Sequence, residues 1–225
     1  MTSKYRLVVF DWDGTLMDSA GHIVASMQGA MTDLGLPVLA PEVIRNIIGL
    51  GMREAVHALF PHDRSDAFVE RFTVHYRDYY FAPAAPQTLF PGAERMLQAL
   101  REAGYLLAVA TGKSRHGLDH ALSETGLDAM FHTSRTADET ASKPDPRMLV
   151  EILAHLDVPP EAAVMVGDTE YDLDMASRAG MASVGVSFGV HAPERLRRHG
   201  PLACVDDLES LPLLLSGGNL ERAWA

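Results

Sequence analysis

The sequence predicts an α/β fold, with a Rossmann-like parallel sheet core interrupted once by an inserted all-helical domain. Three observations predict it. Short runs rich in Val, Leu and Ala recur, each followed by a turn signal and a helix-like pattern. Strands alternating with helices read as a parallel sheet covered on both faces. Between Asp18 and Phe81 that rhythm breaks, and apolar residues recur at helical spacing instead. Finally, several strand-like runs end in carboxylates or hydroxyls, and open α/β sheets bind ligands at the carboxyl ends of their strands.

The first expected strand, 6–10, runs straight into Asp11-Trp12-Asp13-Gly14-Thr15-Leu16. The helical stretch follows. Ile23, Met27, Ala30, Met31 and Leu34 share one helix face, and Gly35 stops that helix. Pro41 suits the first turn of a second helix through Val43, Ile44, Ile47 and Ile48. Two more helices are expected over 54–60 and 66–80, then a return linker over 81–86. Phe90-Pro91-Gly92 reopens the α/β pattern, with strands expected at 106–110, 162–166 and 182–186 and a shorter run at 132–134. The residues after Leu215, including Gly217-Gly218, read as a flexible tail. The expected division is a core domain of 1–16 and 88–225 and a helical domain of 17–87. Connections in α/β units usually take about 2–6 residues, so this insertion needs a purpose. It leaves from the turn that carries the acids, which suits a lid that closes over substrate and excludes water.

Composition narrows the function. The 225 residues are 47% hydrophobic, enough for a real core, and carry a formal net charge of -11. That charge argues against nucleic acid as a partner. It leaves room for an anionic small substrate in a local basic pocket. Cys204 is the single cysteine, in an apolar setting that suits a buried thiol. No apolar stretch approaches the roughly 20 residues of a membrane span, and no signal peptide is legible. A cytoplasmic protein is the expectation, with monomer and homodimer both open.

Four sites at expected strand ends carry the chemistry. Asp11 and Asp13 sit one residue apart before a Gly-Thr turn and offer a nucleophile, a proton carrier and a cation site. Thr111-Gly112-Lys113-Ser114 offers a hydroxyl and backbone N–H groups at a helix start, a ready anion site. Lys143 precedes Pro144, which pins a point charge suited to phosphate. Asp168 and Asp172 lie at another strand end, where hard oxygen ligands suit Mg²⁺. Each has an ordinary reading as a cap, a turn or a solvated charge. Together and in chain order, they match phosphoryl transfer, in which positioning and charge neutralisation do most of the work.

These four motifs, Asp11-Trp12-Asp13-Gly14-Thr15-Leu16, Thr111-Gly112, Lys143-Pro144 and Gly167-Asp168-Thr169-Glu170-Tyr171-Asp172, resemble those of the haloacid dehalogenase superfamily. The segment Ile48-Gly49-Leu50-Gly51-Met52-Arg53-Glu54 and the layout are similar to its phosphoglycolate phosphatase-like branch, in which the inserted helices form a cap. The resemblance implies that Asp11 is the nucleophile, forming an aspartyl-phosphate, and that Asp13 is the acid and base. It implies Mg²⁺ on the Asp11 carboxylate, the Asp13 carbonyl and Asp168, with Asp172 supporting or ligating. Thr111, the Gly112 amide and Lys143 would hold the phosphoryl oxygens. Dehalogenases of the superfamily lack an acid at the place of Asp13, so its presence points to phosphate esters. Gly112 stands where that branch commonly carries Asn, keeping the amide but not the side chain.

The implied activity is a Mg²⁺-dependent phosphatase acting on a small phosphorylated metabolite, with phosphoglycolate as one candidate. Phosphosugar mutases share the motif content, a pyrophosphatase is a further alternative, and a non-catalytic binding protein is the reading from another class. In the cap, Gly51, Arg53, Arg45 and His57 are candidates to meet the leaving group. Tyr76, Tyr79 and Tyr80 read as core and hinge packing. His75, His116, His120, His132 and His155 show no metal-ligand spacing.

Overall fold

A computed structural model describes residues 4–82 and 87–217. Most of the expected return linker and the tail beyond Gly217 lie outside them.

The first strand, β1 (Leu7–Phe10), is wholly buried. After the acidic turn comes a two-residue strand, β2 (Met17–Asp18). Four helices follow: α1 (Ala20–Asp33), α2 (Pro41–Arg45), α3 (Met52–Leu59) and α4 (Asp66–Tyr80). The return is β3 (Thr88–Leu89), which pairs antiparallel with β2, Met17 opposite Leu89 and Asp18 opposite Thr88. The helical unit is therefore closed at its base by its own entry and exit. Sequence periodicity had no access to these two strands, because two residues carry no period.

The α/β rhythm then resumes through α5 (Ala93–Glu102), β4 (Leu106–Thr111), α6 (Arg115–Thr125), β5 (Thr133–Thr136) and α7 (Arg147–Leu156). It continues with β6 (Ala163–Gly167), α8 (Glu170–Arg178), β7 (Ala182–Val186), α9 (Pro193–Arg197), β8 (Cys204–Val205) and α10 (Leu211–Leu215). The sheet order is β5-β4-β1-β6-β7-β8, with every pairing parallel. Strand β1 is central. The chain builds β4 and β5 on one side of it and β6 to β8 on the other, so the strand order reverses at β1. Such a switch point opens a crevice at the carboxyl ends of the strands.

The two faces of the sheet bury separate cores. Val8 and Phe10 face Leu97, Val109 and Val164, while Leu7 and Val9 face Met148, Ile152 and Met165. This is the period-2 alternation of a strand covered on both sides. The helical unit has its own core of Met27, Met31, Ile44, Val56, Phe68 and Phe72, among others. Cys204 is buried beside Leu173 and Leu196, as its apolar setting suggested.

Candidate active site

The four motifs converge in the crevice. Asp11 follows β1 directly and its N–H donates to Val166 O of β6 at 2.9 Å. The next residues turn sharply, with Leu16 and Met17 N–H both bonded to Trp12 O. Gly14 makes this possible. Its φ is +85°, and a Cβ there would lie 2.2 Å from Asp168 Oδ2. The same turn sends the Thr15 hydroxyl to Asp168 Oδ1 at 3.0 Å, while Val190 N–H donates to Asp168 Oδ2 at 2.8 Å.

Lys143, fully buried, reaches into this group from the β5–α7 connection. Its ammonium lies 2.6 Å from Asp11 Oδ1 and 2.7 Å from Asp172 Oδ1. Asp172 also closes a capping box at the start of α8, its Oδ2 accepting from Thr169 N–H and Oγ1. Asp11, Asp168 and Asp172 each offer a carboxylate oxygen within 4.8 Å of the others. Burial pushes the Asp11 carboxyl well up, against the pull of Lys143. Burial, with Asp172 nearby, raises Asp168 to about 7. Burial alone would lower Lys143, but the two carboxylates beside it outweigh that and hold it above its ordinary value. Asp11 Oδ2 is buried without a hydrogen-bond partner. A buried orphaned carboxylate oxygen beside two further acids is a donor set that fits a hard divalent cation.

Asp13 turns away from this group. Its Oδ1 accepts from the Ser19 hydroxyl at 2.6 Å and meets the Lys113 ammonium at 2.9 Å. Lys113 in turn donates to Tyr80 OH at 2.7 Å. Sequence reasoning passed over Lys113, Ser19 and Tyr80 as site residues. Lys113 was visible only as the residue after Gly112, and its partners lie far away in the chain.

Thr111 ends β4, two positions beyond the residue paired with Phe10. It is buried, and its Oγ1 accepts from Lys113 N–H at 3.2 Å, which leaves its own O–H free to donate. Gly112 is pressed against the helical unit. A Cβ there would lie 2.5 Å from both Gly49 O and Leu50 O. That contact explains why no side chain stands at this position.

The helical unit is docked on the core through the same turn. Gly51 N–H donates to Ser142 Oγ at 2.7 Å, and Tyr171 OH to Asn46 O at 2.9 Å. A cavity of about 650 Å³ lies between the two, with Asp13, Gly112 and Lys113 on the core side. Gly51 and Arg53 line it, whereas Arg45 and His57 are not among its lining residues. Arg53 is ion-paired with Asp66 and solvent-exposed. Tyr76 and Tyr80, expected as packing residues, are part of the cavity wall.

The family model for haloacid dehalogenase-like hydrolases matches residues 8–186. A phosphoglycolate phosphatase of Cupriavidus necator is 36% identical over 224 residues, covering 96% of this chain and 95% of its own. A phosphoglycolate phosphatase of Pseudomonas putida is 29% identical over 212 residues, covering 92% of this chain and 78% of its own. Among solved structures, a hydrolase from Pseudomonas syringae superposes with a TM-score of 0.83 at 26% identity, over 95% of this chain and 96% of that one.

Proposed function

The chain belongs to the haloacid dehalogenase-like hydrolases as a phosphatase, and we propose that it works through an aspartyl-phosphate formed on Asp11. The observation that carries this reading is Asp11 itself. It sits at the end of the central strand, one oxygen fixed by Lys143 at 2.6 Å and the other buried and unpartnered. A carboxylate held this way is oriented for attack without side-chain freedom to lose.

The proposed substrate is a small phosphorylated metabolite. One carboxylate oxygen of Asp11 bonds to phosphorus as the ester P–O bond breaks. Asp13 gives its proton to the departing oxygen. Asp13 then takes a proton from the water that attacks the same phosphorus, and the bond between phosphorus and the Asp11 oxygen breaks to release phosphate and restore Asp11. Ser19 and Lys113 fix Asp13 for both steps. The Thr111 hydroxyl, the Gly112 amide and Lys143 hold the phosphoryl oxygens. Asp11, Asp168 and Asp172 are the residues to hold Mg²⁺, which when bound neutralises phosphoryl charge. Residues 17–87 are the proposed cap, with Gly51, Arg53 and Tyr80 on the substrate side.

The test is phosphate release from a panel of phosphorylated metabolites, phosphoglycolate and pyrophosphate included, with Mg²⁺ or with EDTA. Release that needs Mg²⁺ and vanishes in Asp11→Asn supports the mechanism. Normal turnover by Asp11→Asn refutes it.

A further inference from the structure

We infer that the alcohol released by this enzyme is a largely apolar body of ring size or larger, seated between α1, the 47–51 turn and α4. This rests on the phosphatase reading and concerns what lies beyond the ester oxygen. Asp13, Gly112 and Lys113 line the core side of the cavity, so an oxygen protonated by Asp13 carries its alcohol into that space. At about 650 Å³ the cavity is far larger than a two-carbon acid requires. Pockets of about 300–1,000 Å³ take drug-sized ligands.

The volume is not a gap left by an open cap. The Gly51–Ser142 bond, the Tyr171–Asn46 bond and the Tyr80–Lys113 bond all hold the helical unit against the core. Much of the wall on the helical side is apolar, through Ile23, Met27, Ile48, Met52, Val69 and Tyr76, with Glu54 and Thr73 as polar members beside the arginines. Charge points the same way. The ammonium nearest the chemistry, Lys113, is already matched by Asp13. Arg53 and Arg77 belong to the lining but are solvent-exposed, and Arg53 is paired with Asp66. A carboxylate two bonds from the phosphate oxygen would enter beside the already paired Asp13 and Lys113 and meet mainly apolar side chains beyond them, a poor place for an anion.

The experiment is kcat/KM with Mg²⁺ for ethyl, butyl, hexyl and benzyl phosphate, alongside phosphoglycolate. These alkyl alcohols differ in apolar length and little in leaving-group chemistry. The expected result is a rise of about two- to fourfold per added methylene that the wall covers, with benzyl and hexyl phosphate well ahead of phosphoglycolate. Two variants move the wall, Val69→Trp by filling the cavity and Val69→Thr by adding a hydroxyl at nearly constant volume. In each, the ratio of hexyl to ethyl phosphate is expected to fall at least threefold. The ratio is internal to one protein, so loss of folded enzyme cancels. A flat or falling series in the wild type, or phosphoglycolate as the best substrate, overturns this inference and leaves the phosphatase reading standing. No Mg²⁺-dependent release from any compound overturns both.

Discussion

Replacing Gly112 by Ala tests the contact that joins the two halves of the site. The added Cβ would meet two backbone oxygens, Gly49 O and Leu50 O, at 2.5 Å, where ordinary contact begins at 3.4 Å. Neither oxygen can rotate aside, so the 47–51 turn must retreat by about 0.9 Å to restore contact distance. That retreat would stretch the Gly51 N–Ser142 Oγ bond from 2.7 Å to about 3.6 Å, which is no longer a hydrogen bond. Overpacking costs about 1–3 kcal/mol and the lost bond about 0.5–1.5 kcal/mol. A total near 2–4 kcal/mol corresponds to a fall in Tm of about 4–16 °C for a chain of this length. Where the helical unit lifts as a body instead of unfolding, the same energy appears as a raised KM. The assay is calorimetry with kcat/KM on the best substrate. A variant within 1 °C and twofold of wild type refutes the reasoning. A cycle with Ser142→Ala sharpens the test, because Gly112→Ala has already broken the bond that Ser142→Ala removes. The double variant is expected to lose less than the two single losses together.

Three further predictions follow from the buried charges. Lys143→Met strands Asp11 and Asp172 without their cation. Breaking a buried pair costs about 3–5 kcal/mol, and Mg²⁺ should restore more stability to this variant than to wild type in thermal melts. Asp168 titrates near 7 in the folded protein against 3.8 for the ordinary carboxyl. Between those values the native state binds the extra proton, so metal-free stability falls as pH rises from about 4 through 7. Mg²⁺ binding needs the ionised form, so its increment in Tm should grow across the same window; an increment independent of pH from 5 to 8 refutes the assignment. Tyr80→Phe removes a buried hydrogen bond to an ammonium, worth about 1.5–3 kcal/mol, and should lower both Tm and kcat/KM.

What the sequence disclosed depended on how local the cause was. Asp11, Asp13, Asp168 and Thr111 were legible because a buried strand followed by a turn places its next residue at the sheet's edge, whatever the rest of the chain does. The insertion was legible because strand periodicity failed over a long stretch. Lys113 was not, because Asp13 lies 100 positions away and Tyr80 33. Tyr80 and Tyr76 do pack in the helical core as expected, but their second role as cavity wall was hidden because one spacing serves a packed helix face and a cavity wall alike. The absence of a side chain at Gly112 stood out, but its reason did not. The atoms that forbid one are the carbonyls of Gly49 and Leu50, and backbone leaves no trace in residue type. The strands β2, β3 and β8 are too short to show a pattern, yet β2 and β3 close the base of the helical unit.

The charge balance of the site ties these observations together. Four carboxylates, Asp11, Asp13, Asp168 and Asp172, face two ammonium groups, Lys113 and Lys143. With all ionised, the excess is two negative charges, in a crevice where burial strengthens every uncompensated interaction. A phosphate ester, itself an anion, would be repelled by that excess. Burial first, and the neighbouring carboxylates after it, displace Asp11 and Asp168 upward and so favour proton uptake in the metal-free protein. A divalent cation held by Asp11, Asp168 and Asp172 would remove the excess without occupying the carboxylates with protons. On the proposed mechanism it would leave Asp11 ionised for attack and offset the carboxylate charge that otherwise repels the substrate. Cation affinity and substrate affinity would then be linked through one set of side chains, and each is expected to strengthen the other.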